Sequence, residues 1–337
     1  MLEVSAGPLA ETHDLLMFDL DGVVHINGRA IQGVAEHIHR LRTRGAHVAF
    51  VTNNASRTPV QVAEAMARAG VPAETTEIVT SAQAAARILV EAHGVGAKVV
   101  LLGGEGLKEA LLEEGLVPDS DPQGAVAVVS GYGPDVRWKD VMRVAALVRD
   151  GLPYVGCNGD LTTPMPYGLA PGHGALAGVI GRFAGVEPVI AGKPERSLME
   201  ETVRRVGGQR ALMVGDRLDT DIAGAHAIGA SSLLVLTGVT QLMELAAATP
   251  GRRPMYISPD TSGLFEDHRV PVVCDGLVSL GGWTGRVASG TLCIDGTGSE
   301  ADWWRVAATA AWSRLDATGV PVDVPATYSP GTPLGGL

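Results

Sequence analysis

Apolar runs of strand length alternate with longer helix-patterned stretches along most of this chain, and that rhythm leaves few folds open. Strands are expected at Leu15–Leu20, His47–Val51, Val189–Ala191, Ala211–Val214, Ser232–Leu236 and Met255–Ile257. Between them lie helical patterns at Val34–Arg44, Pro59–Ala69, Glu195–Val206 and Asp221–Ile228. Such alternation predicts a doubly wound α/β fold, a parallel sheet covered by helices on both faces. The middle section has strand candidates of its own at Lys98–Leu102, Ala125–Val129 and Tyr154–Gly156. It reads as an inserted α/β domain, because motifs suited to one site occur both before and after it. The expected division is a core of 1–81 and 188–262, an insertion of 82–187, and a C-terminal appendage of 263–337.

Four strand ends carry the chemistry. The first strand runs straight into Asp19-Leu20-Asp21-Gly22. At the carboxyl end of a parallel strand, open α/β sheets place their ligand sites. Two close carboxylates repel, and a magnesium ion with its preference for oxygen ligands resolves the repulsion. An Asp capping an ordinary turn is the plainer alternative. The second strand ends in Thr52-Asn53-Asn54, where a hydroxyl and loop amides can grip phosphate oxygens; turn-forming Asn is the plainer reading. Lys193 follows the third, just before Pro194 and a helix, and there it can neutralise a carboxylate and an incoming phosphate. Most isolated lysines are only solvated. The fourth strand delivers Asp216, with Asp219 and Asp221 in the helix start behind it. Asp at a helix N-terminus is commonly a cap, so Asp216 is the better candidate metal ligand. Each signal is modest, but a random α/β chain would rarely supply all four in order.

The charge balance and cysteine usage limit the alternatives. The net charge of −11 excludes a broad nucleic-acid footprint, which needs basic stripes. Three scattered cysteines fit a reducing compartment rather than a disulfide framework. No apolar run reaches the roughly 18 residues of a membrane span, and Met1–His13 lacks the features of a signal peptide. The expected compartment is the cytoplasm.

These motifs, together with Val235-Leu236-Thr237-Gly238-Val239, make residues 14–260 resemble the haloacid dehalogenase-like hydrolase superfamily. The subclass resembled is that of NagD-type, para-nitrophenyl phosphatase and phosphoglycolate phosphatase-like enzymes, whose large α/β cap matches the insertion. The resemblance implies a magnesium-dependent phosphatase in which Asp19 attacks phosphorus and forms an aspartyl-phosphate. Asp21 then serves as acid and base, Thr52 and its neighbouring amides hold the phosphoryl group, and Lys193 balances its charge. Magnesium would be held by Asp19, the Asp21 backbone carbonyl and Asp216, with Asp221 in support. Dehalogenases of the superfamily lack the second acid, so Asp21 argues for phosphoryl transfer.

The resemblance extends into the cap. Cys157-Asn158-Gly159-Asp160 and Pro171-Gly172-His173-Gly174 resemble a Thr-Asn-Pro-Asp and a Pro-Gly-x-Gly stretch of the subclass. Asn158, Asp160 and His173 are therefore expected to touch the substrate's leaving group; that the stretch only shapes a loop is held equal. At Gly133 the chain departs from an Asp common among relatives, which weakens substrate assignment by family. Its wording resembles actinobacterial members and points to glycerol 3-phosphate. The alternative esters are 2-phosphoglycolate and other small sugar or polyol phosphates. Caps of this subclass often make dimer contacts, which implies a homodimer. A phosphometabolite sensor signalling through the appendage is the reading of a different class, disfavoured because Asp19 and Lys193 are both present. In the appendage, Val270–Cys274 and Thr291–Ile294 read as strands and Ala301–Thr318 as a helix. That helix carries Trp303, Trp304 and Trp312 as anchors for stabilising packing or a subunit contact, ahead of a tail rich in proline and glycine.

Overall fold

The computed structural model describes residues 1–165 and 167–325, so residues 326–337 of the proline- and glycine-rich tail lie outside it. The chain forms two compact units, one of Met1–Val48 with Gly208–Leu337 and one of Ala49–Gly207.

In the first unit, strand Leu15–Asp19 pairs in parallel with Ala211–Gly215, Leu15 opposite Ala211 and Phe18 opposite Val214. Strands Ser231–Val235 and Tyr256–Ser258 follow in parallel on the far side. Leu15, Leu16, Met17 and Phe18 are all fully buried, as a run apolar on every residue requires of a strand covered on both faces. Helix Val34–Thr43 buries Val34, Ile38 and Leu41, one stripe at helical spacing. The common register brings the carboxyl ends of these strands, with Asp19, Asp216 and Thr237 just at or beyond them, to one edge.

The appendage belongs to this unit. Strands Val272–Cys274, Leu277–Leu280, Trp283–Ala288 and Thr291–Gly296 form an antiparallel meander. Its three turns are the dipeptides Asp275-Gly276, Gly281-Gly282 and Ser289-Gly290, every residue at positive φ, the turn chemistry of two-residue hairpins. Helix Glu300–Thr318 starts where Ser299 Oγ accepts the Asp302 N–H at 3.1 Å. It is buried almost all round from Ala301 to Trp312, and Trp303 and Trp312 share one core with Ile222, Leu234, Leu245 and Ile257. The tryptophans are therefore anchors, as expected, and what they anchor to is the parallel sheet of their own unit.

In the second unit, the Phe50–Thr52 end of strand His47–Thr52 pairs in parallel with Ile78–Thr80. Helix Pro59–Arg68 connects them, opened by a reciprocal box in which Thr58 Oγ1 accepts the Gln61 N–H and Gln61 Oε1 accepts the Thr58 N–H. A second parallel sheet runs in the order Val189–Ile190, Tyr154–Gly156, Ala127–Ser130, Lys98–Leu102, Val117–Asp119. Strands Ile78–Thr80 and Val117–Asp119 were not expected from the sequence. Among the described residues, no helix is long and apolar enough to cross a membrane.

Candidate active site

The first unit gathers three carboxylates. Asp19, Asp216 and Asp221 each bring one oxygen within 4.8 Å of the others, with Asp216 and Asp221 buried and Asp19 half-buried. Asp19 and Asp216 come directly from adjacent strand ends. Asp221 arrives by a different device. Leu218–Ile222 is a π-helical turn, and the Asp221 and Ile222 N–H groups both return to the Arg217 carbonyl at 3.1 Å. That wide turn swings Asp221 back onto the strand end, where its Oδ2 accepts the amides of Asp216 at 3.2 Å and Arg217 at 3.1 Å. The Arg217 guanidinium forks onto Asp219 at 2.9 and 3.1 Å. Burial pushes the Asp219 carboxyl up, but Arg217 outweighs it and the group ends below the ordinary carboxylate range.

Three carboxylates this close repel unless a cation lies among them. The donor set is oxygen only, with no imidazole or thiolate, which suits a hard divalent ion such as magnesium. The residues present thus fit the expected metal.

The Asp21 carboxylate is not one of the three. Its side chain is 77% exposed, and His25 Nδ1 lies 3.4 Å from Asp21 Oδ1. The Gly22 N–H donates to the His25 carbonyl at 2.9 Å and the His25 N–H to the Leu20 carbonyl at 3.0 Å, so the turn itself sets His25 beside Asp21. His25 had no motif to mark it in the sequence.

In the second unit Asn53 is the knot. Its Oδ1 accepts the Lys193 N–H at 2.8 Å, and its Nδ2 donates to the Lys193 carbonyl at 3.0 Å and to the Asp160 carboxylate at 3.2 Å. The Asn53 carbonyl accepts Ser81 Oγ at 2.6 Å and Asn158 Nδ2 at 2.7 Å. The Lys193 ammonium, 3% exposed as a residue, donates to the Val51 carbonyl at 3.3 Å. Thr52 is buried, and its Oγ1 accepts the Asn54 N–H at 3.1 Å. Asn54 Oδ1 folds forward onto the Ser56 N–H at 2.9 Å and the Arg57 N–H at 3.4 Å, an Asx turn. So Thr52, Asn53, Lys193, Asn158 and Asp160 are brought together, with Ser81 as a member the sequence did not reveal.

His173 stands behind this group. It is buried, its Nδ1 is 2.8 Å from the Asn158 carbonyl, and its Nε2 is 2.9 Å from Ser130 Oγ. A carbonyl only accepts, so Nδ1 carries the proton and Nε2 accepts from Ser130, which in turn accepts from Tyr154 at 2.7 Å. Burial pushes the His173 imidazole pKa down, partly opposed by the Asn158 carbonyl.

Comparison with known proteins agrees with this arrangement. The family model for haloacid dehalogenase-like hydrolases matches residues 16–117, and a second, HAD-hydrolase-like model matches 190–264. A D-glycerol 3-phosphate phosphatase of Mycobacterium tuberculosis is 37% identical over 317 residues, 90% of this chain and 87% of its own length. The chain belongs to the haloacid dehalogenase-like hydrolases. A 5′-nucleotidase of Bacillus subtilis is another relative, 35% identical over 68% of this chain and 90% of its own. Among solved structures, a glycerol phosphate phosphatase from Mycobacterium tuberculosis in complex with magnesium gives a TM-score of 0.85 at 35% identity, covering 94% of each chain. Family and fold, as the four strand-end motifs led us to expect for a haloacid dehalogenase-like hydrolase, are borne out.

Proposed function

We propose that this haloacid dehalogenase-like hydrolase is a magnesium-dependent phosphomonoesterase whose preferred ester is glycerol 3-phosphate. The observation that carries the reading is the cluster of Asp19, Asp216 and Asp221 at adjacent strand ends. The ester is suggested by a relative named for D-glycerol 3-phosphate that matches nearly the whole chain.

Asp19 attacks phosphorus as the ester P–O bond breaks, and Asp21 gives its proton to the departing alkoxide oxygen. Asp21, now ionised, takes a proton from water. The water oxygen attacks phosphorus, the bond to Asp19 breaks, and inorganic phosphate leaves. Thr52 with the amides of Asn53 and Asn54 holds the phosphoryl oxygens, and Lys193 balances their charge. Asp19, Asp216 and the Asp21 carbonyl would hold magnesium, supported by Asp221; bound, it supplies positive charge to the nucleophile and the phosphoryl oxygens. Asn158 and Asp160 face the leaving group, with His173 bracing their loop. The division into core, cap and appendage at residues 82, 188 and 263, a homodimer and a cytoplasmic location complete the proposal.

The test is phosphate release from a panel of small esters with magnesium, wild type beside Asp19→Asn. Wild type should release phosphate from glycerol 3-phosphate, and the variant should lose on the order of 10³-fold or more. Release from other esters alone would discard the substrate. No release from any ester, with phosphometabolite binding retained, would replace the enzyme by a sensor.

A further inference from the structure

The stretch Val235–Val239 marks the family resemblance, yet no step above uses it. In the structure the loop Thr237–Thr240 leaves the Ser231–Val235 strand and closes over the acid cluster. The Val239 N–H donates to Asp216 Oδ2 at 2.6 Å, and the Thr240 N–H donates to the Asp216 backbone carbonyl at 3.2 Å. One loop thus holds Asp216 by side chain and main chain together. On its other side, Thr237 Oγ1 donates to the Gly22 carbonyl at 2.5 Å. The same few residues therefore tie Asp216 to the turn that follows Asp19 and carries Asp21.

Space is as tight as the hydrogen bonds. A Cβ at Gly238 would overlap Asp216 Oδ2, and so would a Cβ at Gly22. Gly22 also sits at φ +89°, a conformation that side chains disfavour. Asp216 Oδ2 is thus wedged between two glycines and capped by one amide.

We propose that Thr237–Thr240 is a positioning element of the metal site, presetting Asp216 and the Asp21–Gly22 turn before a divalent cation binds. Groups behind a metal ligand fix its orientation, and their loss typically costs about 10- to 100-fold in metal affinity. The inference rests on the phosphatase reading only in naming magnesium.

The test is calorimetric titration of Mg²⁺ into metal-stripped full-length protein, with no substrate, for wild type, Thr237→Val, Thr237→Ser and Gly238→Ala. Thr237→Val keeps shape and loses the donor, so its Kd should rise about tenfold or more, while Thr237→Ser returns to within about twofold of wild type. Gly238→Ala should weaken binding at least as much. Melting of the metal-free proteins separates a positioning role from a merely structural one: Thr237→Val should melt within a few degrees of wild type. If Gly238→Ala does not fold, the threonine pair decides. Equal Mg²⁺ affinity in wild type and Thr237→Val would overturn the inference alone, as would equal weakening by valine and serine. A wild type that binds no Mg²⁺ would overturn the magnesium reading and the inference with it.

Discussion

Lowering the pH should loosen the appendage through one buried imidazole. His268 is 2% exposed, with Nε2 2.8 Å from the Gly263 carbonyl and Nδ1 3.1 Å from Arg305 Nη2. A guanidinium only donates, so Nδ1 accepts and Nε2 carries the proton. A second proton would have to go on Nδ1, against Arg305, in a site that Arg305 also ties to the Ile257 carbonyl at 3.2 Å. Burial is the main cause that takes the His268 pKa from 6.5 to about 4; the Gly263 carbonyl opposes it and the Arg305 charge adds to it. Between those two values the unfolded chain binds the proton and the folded chain does not. Stability from this group is therefore complete above pH 6.5 and is lost as the pH falls toward 4. At about 1.4 kcal/mol per pH unit, some 2.5 kcal/mol is gone by about pH 4.5. For a unit of roughly 150–250 residues that amounts to about 5–10 °C in melting temperature. His13, His37 and His173 are pushed the same way by burial, so wild type alone does not isolate the effect. His268→Gln does: its amide can accept from Arg305 and donate to Gly263 without titrating. Scanning calorimetry at about pH 7.5 and 4.5 should show wild type losing about 5–10 °C more than His268→Gln. Equal losses, or an NMR titration placing the His268 midpoint near the ordinary histidine value, would refute the argument.

Two other perturbations have definite outcomes. Trp312→Ala removes a fully buried ring whose Nε1–H donates to the Leu245 carbonyl at 2.7 Å, and should cost roughly 3–5 kcal/mol, read as a fall of about 10 °C or more in melting temperature. His25→Ala should lower kcat/KM about two- to fivefold for an alkyl phosphate, which needs a proton from Asp21, and less for para-nitrophenyl phosphate, whose leaving group does not. The modest size reflects the exposed Asp21 side chain and the 3.4 Å separation; equal losses on both esters would mean that His25 only shapes the turn.

The carboxylate cluster was legible because a parallel strand announces itself as an unbroken apolar run, and the residue ending the run must lie at the ligand edge. Asp19 and Asp216 follow from that rule alone. Asp221 does not: helical spacing made it a cap, and only the π-helical turn brings it to the strand end. The partners of the Asn53 side chain do not follow either: it bonds Lys193 and Asp160, more than a hundred positions away. Contacts across such separations leave no local pattern. Of the meander, Val270–Cys274 and Thr291–Ile294 read as strands from the sequence, and the two strands between them do not. Asp275-Gly276, Gly281-Gly282 and Ser289-Gly290 are nevertheless hairpin dipeptides at a spacing of six to eight residues, a turn signal present in the sequence.

The appendage lies beyond residue 264, where the family-model matches end, yet it shares a core with residues behind the acid cluster. The core around Trp303 and Trp312 includes Leu218 and Ile222, the two ends of the π-helical turn that delivers Asp221. It also includes Leu234 of the strand that feeds Thr237. π-Helical turns are rare, occur mostly as single turns and are frequent at functional sites. Helix Glu300–Thr318 contributes Trp303, Trp304 and Trp312 to the core that Leu218 and Ile222 join. The C-terminal helix therefore shares one core with both ends of the turn that delivers Asp221 and with the strand that leads to Thr237.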